Sequence, residues 1–230
     1  MKPDPDVNSY LTQWAAIYDT LNYEKGMAAF FLKKSHAWLE SRFDASQYFG
    51  RVLEVGAGTG VHLQFVRHAF DEYLMTDLNP PMLDKVNQGV SRPPEGRGKV
   101  IVCAENASLL SFPDKSFDRL IAAHILEHLY KPHEVLREWC RVLKPGGVLS
   151  LLLPCDPGLL WRLGQNISSR KKFERAGFDC DYWAAREHVN PINNLVTFVN
   201  YYFTDVKSSW FPMLIPSMDA NLFYVAHITV

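Results

Sequence analysis

Short apolar runs alternate with helix-spaced apolar residues through the middle of the chain. The runs predict buried β-strands at residues 51–55, 73–76, 99–104, 117–123 and 148–153. Between them, apolar side chains recur every three or four positions. This spacing predicts helices between the strands, the first at residues 61–70 and the last at residues 132–143. A stretch rich in Pro, Gly and Arg at residues 91–98 predicts a loop. Strands and helices that alternate in this way are typical of a mostly parallel sheet with helices on both faces.

The pattern changes on either side of this region. Residues 10–18 and 27–39 predict two helices before the sheet. Residues 192–202 predict a last helix, and runs at 205–211 and 222–230 predict an antiparallel pair of strands. The predicted fold class is therefore α/β: a Rossmann-like, doubly wound, seven-stranded sheet. It is mostly parallel, with an antiparallel C-terminal hairpin, N-terminal helices and a lid insertion.

Composition and charge narrow the class of protein. The 230 residues are 47% hydrophobic, which is typical of an ordered globular chain. Their 24 basic and 25 acidic side chains give a formal net charge of −1. This balance disfavours extensive contact with nucleic acid, which usually leaves a basic footprint. No apolar run approaches the roughly 20 residues that span a bilayer. We therefore expect neither a nucleic-acid partner nor a membrane span.

Cysteine usage and the N-terminal residues bear on the compartment. Cys103, Cys140, Cys155 and Cys180 are far apart and form no CxxC pair, so neither a zinc site nor a disulfide framework is expected. Residues 1–6 contain no apolar core and are not expected to be a secretory signal. Both observations favour a soluble, cytoplasmic protein.

A glycine-rich loop stands between the first predicted strand and the segment that follows it. Gly56, Gly58 and Gly60 allow the backbone to turn sharply and let a ligand approach without a Cβ atom in the way. In open α/β sheets, nucleotide-like ligands bind at the carboxyl ends of the strands. The loop is therefore a candidate binding site.

A nicotinamide dinucleotide is the competing ligand for such a loop. Its GxGxxG fingerprint needs a third glycine at position 61, where this chain has Val61, and the glycine is one place early at Gly60. Glu54 would repel a diphosphate but suits a ligand with a cationic amino group. Asp77, after the second strand, can accept the ribose hydroxyls of either ligand. Glu54 and Gly60 therefore disfavour the dinucleotide.

Five motifs occur in order along the predicted sheet: VLEVGAGTG at 52–60, TDL at 76–78, AENA at 104–107 followed by FPDKSFD at 112–118, AHILEHL at 123–129, and LKPGG at 143–147. Together they resemble the motifs of class I S-adenosylmethionine-dependent methyltransferases, in particular the methyltransferase-11-like members that act on small molecules or glycans. The resemblance implies that the chain binds S-adenosylmethionine, releases S-adenosylhomocysteine and uses no metal.

The resemblance also implies roles for individual residues at the cofactor. Glu54 and the loop residues Gly56, Ala57 and Gly58 are expected to hold the methionine part, and Asp77 the ribose hydroxyls. Leu78 is expected beside the adenine, with Glu105 or Asn106 at its amino group. The other residues expected at the cofactor are Tyr18, Ala107, Ala123, His124 and His128.

The predicted segments form one methyltransferase domain of residues 1–230. Residues 1–50 are a helical arm, whose helices either only pack together or also cover the ligand. Residues 51–154 are the cofactor-binding core, and residues 155–187 are a lid or substrate insertion. Residues 188–230 complete the domain with the last helix and the strand pair.

Methyl transfer is an in-line displacement, in which alignment alone can contribute roughly 7–11 kcal/mol. A hydroxyl acceptor usually needs a base, and histidine has a pKa near working pH. His124, at the tip of the fourth strand, is the expected base, and His188, where the insertion ends, is the second candidate. The histidines expected to have no role are His36, His62, His68, His133 and His227.

No metal site is expected from local spacing. Glu127-His128 and His133-Glu134 are adjacent pairs, which lack the i, i+4 spacing of helical ligands.

The acceptor is expected to be a small molecule or a glycan that is methylated at oxygen or nitrogen. Basic residues of the insertion either contact an anionic acceptor or form a solvated face; they are Arg170, Lys171, Lys172 and Arg175. The alternative function is a catalytically silent scaffold or partner subunit with the same fold. The intact glycine loop and Asp77 disfavour that alternative. The sequence does not indicate the oligomeric state.

Overall fold

A computed structural model describes residues 6–89 and 98–230 of the chain. Its seven strands are β1 (Tyr48–Val55), β2 (Ala69–Asp77), β3 (Lys99–Ala104), β4 (Phe117–Ala123), β5 (Leu143–Pro154), β6 (Val206–Phe211) and β7 (Phe223–Thr229). They form one sheet in the order β3-β2-β1-β4-β5-β7-β6. β7 pairs antiparallel with both β5 and β6, and the other pairs are parallel. The predicted fold class is confirmed.

Eight α-helices surround the sheet in the described residues: α1 (Val7–Asp19), α2 (Met27–Glu40), α3 (Pro80–Gly89), α4 (Pro132–Val142), α5 (Leu159–Gly164), α6 (Arg170–Arg175), α7 (Cys180–Glu187) and α8 (Ile192–Tyr202). The first turns of α1 and α4 follow ordinary capping chemistry. The Asp6 carboxylate accepts the Ser9 amide at 2.9 Å, and Pro132 occupies the first turn of α4. None of these helices is long and apolar enough to cross a membrane.

Hydrophobic cores lie on both faces of the sheet, because successive side chains of a strand point to opposite faces. Leu53 and Val55 of β1 belong to the core that contains Trp139 of α4. Val52 belongs to the other core, which contains Leu39 of α2. The two cores hold β1 and β4 at the centre of the sheet. The carboxyl ends of these strands carry the candidate site, so the cores also hold the site in place.

The helix expected at residues 61–70 is wrong. A single 3-10 turn, Val61–Phe65, follows the glycine loop, and β2 already begins at Ala69. The face that this helix would cover is occupied by α2, whose Leu39 shares a core with Val66 and Phe70. Pairing with β1 then holds residues 69 and 70 in an extended conformation.

The arm at the N-terminus packs against the segment inserted after β5. The Tyr10 ring stacks on Trp183 with centroids 3.4 Å apart, and it meets Phe178 edge-on at 5.5 Å. This aromatic cluster connects α1 to α7. The segment 1–6, expected not to be a secretory signal, lies outside the described residues except for Asp6, and so does the loop predicted at 91–98 except for Gly98.

Candidate active site

The glycine loop turns through conformations that favour glycine at each of its three glycines. Gly56, Gly58 and Gly60 have φ angles of +64°, +56° and +76°. A Cβ atom at Gly56 would lie 2.7 Å from Cγ1 of Ile125, which follows β4. The loop therefore packs directly against the segment that carries the candidate catalytic residues.

Asp77, at the tip of β2, is tied to the glycine loop. Its carboxylate accepts the Gly58 amide at 2.9 Å and the Asn79 amide at 2.8 Å. Burial raises the pKa of Asp77, and the amide hydrogen bonds act against that rise. An ionised carboxylate can accept about four hydrogen bonds, so capacity remains for ribose hydroxyls.

Glu54 is turned into the core beneath the loop. Its side chain is 2% exposed, and the Tyr73 hydroxyl donates to its Oε2 at 2.8 Å. Burial raises the pKa of this carboxyl group. The contact expected with a cationic amino group stays a prediction, and the partner observed here is Tyr73.

The residues expected near the adenine lie at the tips of β2 and β3. Leu78 is 67% exposed, so an apolar surface is available beside the loop. Glu105 is engaged locally, because the Ser111 hydroxyl and amide donate to its carboxylate. Its expected contact with an amino group therefore requires a change of partner.

Asn106 and Ala107 also have structural contacts at this edge of the sheet. The Asn106 side-chain oxygen accepts the Ser108 amide at 2.9 Å. The carbonyl oxygen of Ala107 accepts the Trp139 indole N–H at 2.8 Å. Their roles at a cofactor stay predictions.

The arm brings Tyr18 to the glycine loop. Ring and hydroxyl atoms of Tyr18 lie 3.8 Å from the position of a Cβ atom at Gly58. The Thr59 hydroxyl donates to Asp19 at 2.6 Å, which fixes the end of α1 to the loop. Burial raises the pKa of Tyr18 to about 12, so the phenol keeps its proton at neutral pH.

His124 follows Ala123 at the tip of β4 and has a φ angle of +57°. Its Nε2 is buried and has no hydrogen-bond partner in the described part of the chain. Burial, together with His128 and His188, lowers the pKa of His124 to about 3. A neutral imidazole of this kind can line a reaction volume, but it is a weak base near pH 7.

His188 is paired with a carboxylate. Its Nδ1 lies 2.7 Å from Oδ2 of Asp156, which follows β5. Burial alone would lower the pKa of His188, but Asp156 and the nearby Glu127 carboxylate outweigh burial and raise it. The pairing favours His188 over His124 as a base, and the choice between the two stays a prediction.

Glu127 and His128 lie next to His188. The nearest ring nitrogens and carboxylate oxygens of these three residues are all within 4.8 Å of one another. Burial raises the pKa of Glu127 to about 7, and its Oε2 has no hydrogen-bond partner among the described residues. The spacing of Glu127 and His128 gives no sign of this cluster, because His188 comes from the far end of the insertion.

A cavity of about 300 Å³ lies within the inserted segment and is lined by residues between 156 and 191. His188 is the one member of the cluster that lines it, and Asp156, Arg162 and Arg170 line it as well. Arg170 is engaged, because its guanidinium donates to the Asp181 carboxylate at 2.7 Å. Arg162 is exposed.

The basic residues of the insertion are partly occupied in holding the fold. Lys172 donates from Nζ to the carbonyl oxygen of Lys25 at 2.8 Å, in addition to the pairing of Arg170. Lys171 and Arg175 are exposed. Both interpretations of this basic group, a solvated face and contact with an anionic acceptor, stay predictions.

A buried chain of polar side chains leads away from the site, and the sequence did not predict it. Tyr23 meets His36 Nε2 at 3.0 Å, His36 Nδ1 meets His62 Nδ1 at 2.9 Å, and His62 Nε2 meets Glu40 at 3.0 Å. Glu40 accepts from Arg119 at 2.6 and 2.9 Å. His36 and His62, for which no catalytic role was expected from the sequence, are buried links in this network.

The sequence model of the family described as "Methyltransferase domain" matches residues 53–151. This range runs from the glycine-loop strand β1 into β5, and it contains Asp77, His124, Glu127 and His128.

Two curated relatives show how far the sequence similarity extends. The rice protein 2-methyl-6-phytyl-1,4-hydroquinone methyltransferase 1, chloroplastic (Oryza sativa subsp. japonica), is 35% identical over 109 residues, which cover 46% of this chain and 32% of the relative. The ubiquinone/menaquinone biosynthesis C-methyltransferase UbiE of Marinomonas sp. (strain MWYL1) is 34% identical over 146 residues, which cover 60% and 55%. The chain thus spans about a third to a half of the length of these relatives.

A solved structure shares the fold across nearly the whole chain. The N-methyltransferase NodS from Bradyrhizobium japonicum WM9, in complex with S-adenosyl-L-homocysteine, superposes with a TM-score of 0.64 at 16% identity, and the match covers 96% of each chain. Over residues 53–151 the chain is thus similar in sequence to a methyltransferase domain, and over nearly its whole length it has the fold of a methyltransferase.

The geometry of the loop fits the cofactor of this family, S-adenosylmethionine. Three glycines with positive φ let the backbone turn sharply at the tip of β1, and Asp77 lies beside this turn with accepting capacity left. Tyr18 closes one side and the exposed Leu78 offers an apolar surface on another. Asp77, Tyr18 and the loop amides are the residues that would hold the nucleoside.

Proposed function

We propose that this chain transfers a methyl group from S-adenosylmethionine to a hydroxyl-bearing small molecule or glycan. The observation that supports this most strongly is the direct packing of Ile125 against Gly56. It joins the glycine loop at β1 to the segment after β4 that carries His124, Glu127 and His128. A cofactor site and an acceptor site are therefore adjacent, as in-line displacement requires.

The bound cofactor supplies an electrophilic methyl group on a sulfonium, and the chain's own residues align the acceptor with it. The loop amides and Asp77 hold the nucleoside end, and Tyr18 covers it. The buried, neutral imidazole of His124 keeps the volume between the two sites polar without adding a charge.

The acceptor hydroxyl loses its proton at the cluster of Glu127, His128 and His188. Two features support this assignment: the Asp156 partner of His188, and the unpartnered Oε2 of Glu127. A hydroxyl needs such assistance, whereas an amine that binds neutral does not. We therefore favour methylation at oxygen over methylation at nitrogen.

The cavity that His188 lines within the inserted segment is the proposed acceptor site. We propose residues 155–187 as the lid that recognises the acceptor and residues 51–154 as the cofactor-binding core. One relative carries a hydroquinone in its name and another is named a C-methyltransferase. A phenolic acceptor, methylated at oxygen or at an activated ring carbon, is consistent with both names and with a site that removes a proton.

We also propose that the protein works in the cytoplasm. All four cysteines have free thiols, which suits a reducing compartment.

A screen for release of S-adenosylhomocysteine tests the proposed function. The purified chain is incubated with S-adenosylmethionine and separate pools of phenols, aliphatic alcohols and glycans. We expect release above the acceptor-free background with at least one hydroxylated pool, and a loss of that release in Asp77→Ala. A chain that binds S-adenosylhomocysteine but releases none from any pool would favour the silent scaffold instead.

A further inference from the structure

Glu127, His128 and His188 converge at the tip of β4. Their ligand-type atoms lie within 4.8 Å of one another, and the Glu127 Oε1 to His128 Nε2 distance is 3.8 Å. Glu127 is 2% exposed, and its Oε2 has no hydrogen-bond partner within residues 6–89 and 98–230. A buried carboxylate oxygen without a partner is costly unless a ligand or ion satisfies it.

Hydrogen bonds at the far side of each ring leave one nitrogen of each histidine available. His128 Nδ1 lies 2.8 Å from the carbonyl oxygen of Glu187, which can only accept, so Nδ1 carries the proton. In neutral His128, Nε2 then has a free lone pair. His188 Nδ1 is likewise oriented by Asp156 at 2.7 Å, which leaves Nε2 as its second nitrogen.

The hydrogen bonds of His128 and His188 resemble those that metal-binding histidines make with their second ring nitrogen. Metal-binding histidines donate their other N–H to a carboxylate or a backbone carbonyl, which fixes the tautomer and makes the free nitrogen a better ligand. Here both histidines have such a partner, one of each kind. Two imidazoles and one carboxylate are a ligand set used in zinc enzymes that keep a fourth position open.

We propose that Glu127, His128 and His188 form a binding site for one divalent transition-metal ion, with zinc as the expected ion. Ligand atoms about 2.1 Å from a tetrahedral ion lie about 3.4 Å apart, so the side chains need to close by roughly 1 Å. From the sequence no metal site is expected, because the adjacent Glu and His pairs lack the spacing of metal ligands on a helix. His188, which enters from the end of the insertion, supplies the missing ligand.

The consequence for catalysis depends on the proposed methyl transfer, whereas ion binding does not. An ion with one open position can bind the oxygen of an acceptor hydroxyl and lower its pKa. The O–H bond then breaks with its proton passing to water, and the oxygen is left to attack the methyl group. His188 in that case acts as a ligand, rather than as the free base expected from the sequence.

Zinc competition with a chromophoric chelator tests the site directly. The purified chain is treated with EDTA, exchanged into chelator-free buffer and titrated with Zn²⁺. We expect one Zn²⁺ per chain. Asp156→Asn, which removes only the partner of His188, is expected to weaken binding about 10- to 100-fold. Glu127→Gln and His188→Ala remove ligands and are expected to weaken it by at least that factor.

His133→Ala is the matched control, because His133 is a nearby, partly exposed histidine outside the cluster. It is expected to bind Zn²⁺ as the unchanged chain does. Binding of S-adenosylhomocysteine is measured on every variant, so that loss of fold or of the cofactor site is recognised separately. If His188→Ala does not fold, the near-isosteric Glu127→Gln gives the answer.

Two results would overturn the proposal. One is less than one equivalent of Zn²⁺ bound by a chain that still binds S-adenosylhomocysteine. The other is Zn²⁺ affinity that is unchanged in Glu127→Gln and His188→Ala, which would locate the ion elsewhere. In either case the methyltransferase proposal stands, and His188 returns to the role of a base.

Discussion

Nδ1 of His188 lies 2.7 Å from Oδ2 of Asp156, although the two residues stand at opposite ends of the inserted segment. Asp156 follows β5, and His188 follows α7. This contact joins the two ends of the insertion and also fixes the orientation of the His188 ring beside Glu127. Folding of the insertion and assembly of the acceptor site are therefore coupled.

The pairing of Asp156 with His188 predicts a pH-dependent stability. The folded chain raises the pKa of His188 above its unfolded value, because Asp156 and Glu127 outweigh burial. A raised pKa stabilises the fold fully below about pH 6.5, and the contribution is lost as pH rises through the folded pKa. We expect Asp156→Asn to lower the free energy of unfolding more at pH 6 than at pH 9, measured by urea denaturation with EDTA present.

Asp181→Asn is the control for that comparison. It breaks the exposed pair with Arg170, whose charge does not change between pH 6 and pH 9. Its cost is expected to be about 0–1 kcal/mol at both pH values. Equal losses at the two pH values for Asp156→Asn would contradict the account of His188.

The glycine loop predicts different costs for two Gly→Ala substitutions. Gly56 and Gly146 both have positive φ angles, so alanine at either is expected to cost about 1–2 kcal/mol of backbone strain. At Gly56 the new Cβ atom also meets Ile125 at 2.7 Å, which adds about 1–3 kcal/mol, whereas Gly146 has nothing within 4 Å. Thermal unfolding of both variants measures the difference.

Gly56→Ala is also expected to weaken binding of S-adenosylhomocysteine, and Gly146→Ala is not. Equal stability losses, together with unchanged affinity in Gly56→Ala, would show that the loop tolerates a side chain at this position.

The buried pair of Glu40 and Arg119 predicts a large cost for removing one charge. Arg119 is fully buried, and it holds the pKa of Glu40 well below its usual range although burial acts in the opposite direction. Glu40→Gln leaves a buried guanidinium without a counter-charge, which is expected to cost about 3–5 kcal/mol. Glu72→Gln, which breaks a half-exposed pair with Arg51, is expected to cost about 0–1 kcal/mol.

Urea denaturation at pH 7 measures both variants. Similar small losses in both variants would mean that water or a rearranged side chain reaches Arg119.

Sequence patterning was sufficient for the sheet, because buried strands and the turns between them leave local signals. β3 and β4 have the predicted bounds, 99–104 and 117–123. For residues 61–70, the local sequence was not sufficient to distinguish a helix from a turn followed by a strand. Its apolar spacing also fits a short turn and a strand, and the choice depends on α2, which arrives from the arm to cover that face.

In the functional site too, some features follow from local sequence motifs, whereas others depend on contacts between distant segments. The glycines and Asp77 come from contiguous motifs, so their geometry followed from the sequence. The pairing of His188 with Asp156 and the burial of His36 and His62 depend on residues brought together from distant segments. The weak basicity of His124 could not be anticipated either, since its pKa is lowered chiefly by burial.

The most direct test of the central claim is calorimetric titration of the unmodified chain with S-adenosylhomocysteine. We expect micromolar binding. Asp77→Ala is expected to weaken it about 10- to 100-fold, because losing hydrogen bonds to a charged group costs about 1.5–3 kcal/mol. Asp84→Ala, at an exposed position of α3, is expected to bind normally. No binding by the unmodified chain, or equal binding by Asp77→Ala, would contradict a cofactor site at this loop.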